Sequence, residues 1–113
     1  MTHCVLFKTD NAILEYPNET EPMTFEKAKK IMGLDDDCLI EIVNIAYGGL
    51  AAQMLVDEEG LLKKLPANIH ATMLYWATGL SRNQPIFEIG KDEPSATPIA
   101  GPALVLTGKA RCP

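Results

Sequence analysis

Cys38-Leu39-Ile40-Glu41-Ile42-Val43-Asn44-Ile45, then Gly48-Gly49, then Ala51-Ala52-Gln53-Met54-Leu55-Val56, then Asp57-Glu58-Glu59-Gly60: this stretch decides the fold. Its first run is β-branched and mostly apolar, which suits a pleated, packed surface and predicts a central strand. The glycine pair breaks that run and predicts a tight turn. Ala51 to Val56 is then a further strand, paired back through the turn. Asp57 to Gly60 has the composition of the next turn.

Working outward, Cys4 to Thr9 and Ala12 to Tyr16 flank the turn dipeptide Asp10-Asn11 and predict an N-terminal hairpin. Thr24 is an N-cap for a helix running to about Met32, with Glu26 in its first turn and Gly33 as its stop. Asn68 caps a second helix, about Ile69 to Thr78, with Ile69, Met73, Trp76 and Ala77 as its apolar stripe and Gly79 as its stop. Residues 80–98 are polar and Pro-rich around one short apolar piece, Ile86 to Ile89. Ile99 to Thr107 predicts the last strand, with Gly101-Pro102 near its start. Gly108 to Pro113 is expected to be a loose tail. The order β-β-α-β-β-α-(β)-β, joined by short turns, predicts an α+β fold: one mainly antiparallel sheet with two helices packed on one face.

The chain has 113 residues, 47% of them hydrophobic, which suits one domain with a real core. A net charge of −5 argues against nucleic acid and against an anionic membrane surface, since both need clustered Lys and Arg. Cys4, Cys38 and Cys112 are odd in number and widely spaced, unlike a secreted disulfide framework. With only His3 and His70 to add, no zinc pattern forms, and no cofactor is expected. No signal peptide and no apolar run of about 18 residues is visible, so the expected setting is intracellular. The Asn18-Glu19-Thr20 sequon matters only in a secreted protein.

Each candidate site competes with a plainer reading. Asp35-Asp36-Asp37 lacks the alternating ligands of a calcium loop and reads as a solvated turn. Asp57, Glu58 and Glu59 offer paired carboxylates for acid–base work, against an ordinary exposed turn. Cys38 with His70 is a nucleophile–base pair only if folding brings them together, and a buried inert thiol is the simpler reading. Asn68, His70 and Thr72 open the second helix, where free N–H groups can hold an anionic or carbonyl ligand. The competing view is that Asn68 merely caps. Nucleotide loops, the Gly-x-Ser-x-Gly elbow and His-Glu-x-x-His are all missing.

Met54 to Leu62, followed by Leu65-Pro66-Ala67-Asn68, Ala71-Thr72 and the closing Ile99 to Gly108, is similar to a family of small phage and mobile-element domains, domain of unknown function 3846. The resemblance covers roughly residues 38–108. It implies an accessory viral protein acting in the cytoplasm of a bacterial host, working by binding rather than catalysis, with a host protein as partner. Its family has no activity or catalytic residue to carry over. Three readings therefore stand. The first is a non-enzymatic module that binds a host protein or sequesters a small ligand, with Asp57, Glu58, Glu59, Asn68, His70 and Thr72 as its surface. The second is a homo-oligomeric assembly protein, pairing through an apolar edge at residues 99–107 or 4–9. The third is a small carboxylate-dependent enzyme.

Overall fold

The structure is a computed structural model that describes residues 3–60, 62–81 and 99–113. Seven elements follow the expected order: β1 (Cys4–Phe7), β2 (Ile13–Glu15), α1 (Phe25–Met32), β3 (Ile40–Tyr47), β4 (Leu50–Asp57), α2 (Ile69–Ser81) and β5 (Ala103–Thr107). The strands form one antiparallel sheet in the order β2-β1-β5-β4-β3. The α+β class and the antiparallel sheet thus agree with the sequence reading.

Local chemistry explains the boundaries. Thr24 accepts a hydrogen bond from the Lys27 N–H, and Gly33 ends α1 in the left-handed region at φ 73°. Gly48 and Gly49, at φ 60° and 80°, make the two-residue turn that sets Tyr47 opposite Leu50. Two positive φ values in succession are what a right-twisted hairpin needs, and glycine supplies them without strain. The eight residues of β3 then pair in unbroken register with β4.

Four expectations are corrected. The helices do not share a face. Ala28 and Met32 of α1 pack with Cys4, Leu6, Leu55, Leu104 and Leu106, whereas Ala71 and Leu74 of α2 pack with Val5, Phe7, Met54, Ala103 and Val105. Alternate residues of a strand point to opposite faces, so β1 and β5, apolar at both phases, need cover on both sides. Secondly, β3 is an edge strand, not a central one, while residues 4–9 and 99–107 supply the interior strands β1 and β5. Pairing between copies through those two strands is thereby ruled out. Thirdly, α2 does not stop at Gly79 but runs to Ser81; glycine in a helix costs about 1 kcal/mol and does not forbid it. The segment Ile86 to Ile89 lies outside the described residues.

The fourth correction concerns the C-terminal tail, which is tied down rather than loose. Residues Gly108–Ala110 form a 3₁₀ turn, Ala110 is buried, and its carbonyl accepts from the Met23 N–H. Gln53 of β4 grips the backbone of Cys112 from both sides: Oε1 accepts from its N–H at 2.7 Å, and Nε2 donates to its carbonyl at 3.2 Å. Gln53→Ala should therefore cost about 1–2 kcal/mol in urea unfolding. It should also speed amide exchange around residue 112 while β1 stays protected.

Candidate functional site

The turn after β4 is built around Asp57. Its Oδ1 accepts from the Glu59 N–H at 2.9 Å, and Oδ2 accepts from Lys63 Nζ at 2.9 Å. The side chain is almost wholly buried, while Glu58 and Glu59 point to solvent. The chain closes the turn through hydrogen bonds from Gly60 N to Asp57 O and from Leu65 N to Gly60 O. Lys63 also donates to Cys38 Sγ at 3.2 Å, so it joins the β4 turn to the segment entering β3. The hydrogen bond to Asp57, and after it the one to Cys38, push the Lys63 ammonium above its ordinary range.

Asn68 is fully buried and does more than cap. Its Oδ1 accepts from the Ala71 N–H at 3.1 Å, the capping bond. Its Nδ2 donates to the carbonyls of Phe7 at 2.8 Å and Gly101 at 3.0 Å. Thr72, one turn on, accepts from the Ile99 N–H at 2.9 Å. These two polar anchors fix the rotation of α2. Positions 68, 71 and 72 share one helical face and turn it to the sheet. The stripe of Ile69, Met73 and Trp76 consequently points outward, with Ile69 55% and Met73 62% exposed. The apolar stripe read in the sequence is therefore not the face that meets the sheet.

His70 is half-buried, with its ring 6.1 Å from that of Phe7. The six expected site residues thus divide. Asp57, Asn68 and Thr72 are spent on holding the fold. Glu58 and Glu59 are exposed, and His70 sits against an aromatic ring. Cys38 contacts Lys63 rather than pairing with His70. Among the described residues, no cluster of three His, Cys, Asp or Glu side chains is placed to hold a metal ion. No described helix is long and apolar enough to cross a membrane.

Among the described residues, two open clefts lie elsewhere, and none of the six residues lines either. One, of about 370 Å³, sits between the β1–β2 hairpin and α1, against Leu6, Leu14, Tyr16 and Ile31. The other, of about 390 Å³, lies beside β3. Its walls are Pro22, Met23, Thr24, Phe25, Ile42, Cys112 and Pro113, and they are mostly apolar. Sequence reasoning missed this second cleft because the tail that walls it looked loose. It missed Lys63 because a partner six residues along an irregular turn obeys no spacing rule. Comparisons with protein-family models, with curated proteins and with solved structures found no match for this chain.

Proposed function

We propose that this protein is a non-enzymatic binding module that takes an extended segment of a partner protein along the outer edge of β3. One observation carries the reading: the edge strand and the apolar cleft adjoin, since Ile42 of β3 is a wall of the cleft. β3 has eight residues, a single charge at Glu41, and none of the Lys or Pro residues that blunt natural edges. A strand added there gains backbone hydrogen bonds, and every second side chain falls on the cleft side. A volume near 390 Å³ suits one large apolar anchor. If the resemblance to small phage domains read in the sequence holds, the partner is a protein of the bacterial host, met in its cytoplasm. A small apolar ligand is the other occupant the cleft would admit.

The test uses the full chain and Ile42→Asp as paired baits in a bacterial lysate. Ile42 is 36% exposed, so the variant should fold. A host protein held by the wild type should lose at least about tenfold in affinity with the variant, as expected for an anchor contact at an interface. The binding should be reproduced with purified partner. Equal capture by both baits would refute the reading.

A second reading is favoured by the same edge. Eight residues of β3 can pair antiparallel with β3 of a second copy, making a two-fold dimer. A solution mass of twice 12.3 kDa, reduced to one copy by Ile42→Asp, would establish it in place of the first.

A further inference from the structure

The 13 residues of α2, Ile69–Ser81, include no Asp, Glu, Lys or Arg. A surface helix ordinarily carries charges on its wet side, and one that is apolar all round is ordinarily covered. Ile69, Met73 and Trp76 recur at i, i+4 and i+7 and form one outward stripe; the first two are more than half exposed and Trp76 is 37% exposed. Ala77, also exposed, adjoins it. The helix cannot turn this stripe inward, because Asn68 and Thr72 pin its sheet side to Phe7, Gly101 and Ile99. The cleft beside β3 makes no use of the stripe, since α2 packs on the sheet face opposite to α1. We propose that the stripe is a contact face between two copies of this chain, packed α2 against α2, antiparallel, about a two-fold axis near Met73.

Spacing, charge and area together select a second copy as the occupant. Ile69 and Trp76 stand on either side of Met73 at nearly equal separations. Reversing one helix against another therefore sets Ile69 of each copy against Trp76 of the other, with the two Met73 side chains meeting near the axis. A two-fold contact needs a self-matching patch of this kind. Methionine is flexible enough to fill the gap beside its own copy, and the small Ala77 lets the helices approach closely. On a two-fold axis a charged side chain meets its own copy, and like charges brought together oppose association. The chain carries a net charge of −5, yet this helix contributes none of it. The three stripe side chains expose on the order of 300–400 Å² per copy. Pairing the stripes and their flanks brings the buried total near about 1,000 Å², where specific but weak interfaces begin. A monomer–dimer equilibrium in the range of about 10–100 µM is therefore expected. It leaves the cleft beside β3 open in both copies.

Sedimentation equilibrium of the full chain across micromolar to millimolar concentrations tests this. The mass should rise from 12.3 kDa towards twice that value. Quenching of the single tryptophan, Trp76, by acrylamide should weaken over the same range. Added salt should tighten the association, because it screens the repulsion between two chains of net charge −5. Met73→Glu places two like charges at the axis and should weaken self-association at least about tenfold, while Met73→Leu should keep it. Met73 lies mostly in solvent, so both variants should fold. Ile42→Asp, at the β3 edge, should leave the mass at two copies. A mass of one copy at millimolar concentration would overturn the proposal, whichever other occupant covers the stripe. A two-copy mass that survives Met73→Glu but is lost in Ile42→Asp would overturn it too, since the copies would then pair through β3. Should Met73→Glu unfold the chain, the Ile42→Asp mass and the Trp76 quenching of the wild type decide alone: quenching that stays constant while the mass doubles would place the contact away from α2.

Discussion

Asn68→Ala is expected to destabilise the protein by about 4 kcal/mol, a large part of what holds a domain of this size together. The substitution strips partners from three buried backbone groups at once: the carbonyls of Phe7 and Gly101 and the N–H of Ala71. Each unpaired buried group costs roughly 1–3 kcal/mol. It also unfastens three elements together, since those groups belong to β1, the approach to β5 and α2. Urea unfolding followed by the single tryptophan, Trp76 on α2, reads the loss directly. Asn68→Asp separates this role from plain capping. Aspartate is as good an N-cap as asparagine. Here, however, it would set an acceptor oxygen against two carbonyl oxygens, and it should cost at least as much as alanine. A cost for Asn68→Asp below about 0.5 kcal/mol would mean that the residue only caps.

The second large effect is expected at Gly60. An added Cβ there would collide with the carbonyl oxygen of Ala100. That oxygen cannot give way cheaply. Ala100 is bridged to Ala67, and the next residue, Gly101, donates its N–H to Pro66 at 2.9 Å. Forcing backbone from backbone costs about 2–3 kcal/mol even for Gly60→Ala, and more for Gly60→Val. For a domain of this length the midpoint of thermal unfolding should fall by roughly 10–15 °C. Gly33→Ala is the comparison. Its site is open and only its left-handed backbone resists, so about 1 kcal/mol is expected. If the two variants melt together, the close approach at Gly60 is not what the residue provides.

Much of the fold is written locally. The ends of α1 are legible because one side chain and one glycine set them: Thr24 caps and Gly33 stops. The β3–β4 hairpin is legible because Gly48-Gly49 suits only one kind of short turn. Which element covers which is not local. β1 and β5 carried a usable signal, since runs such as Cys4–Phe7 and Ala103–Thr107 are apolar at both phases and imply cover on both faces. β3 carried the opposite trap. Its β-branched residues look like a central strand, yet Ile42 and Leu39 remain exposed at the sheet edge. In α2 the apolar stripe misleads because two polar residues, Asn68 and Thr72, outrank it. Leaving their buried partners unpaired would cost more than leaving Ile69 and Met73 in water. The candidate site was legible only as a neighbourhood. Asp57, Asn68 and Thr72 stand out in the sequence because they have fixed partners, and those partners are the protein itself.

Amide hydrogen exchange on the complex with a purified partner tests the central claim most directly. Recognition along the β3 edge predicts slowed exchange within Ile40–Tyr47, with the amides around Ile42 most affected and α2 unchanged. Slowed exchange over α2, beneath Ile69, Met73 and Trp76, with β3 exchanging as in the free protein, would contradict it.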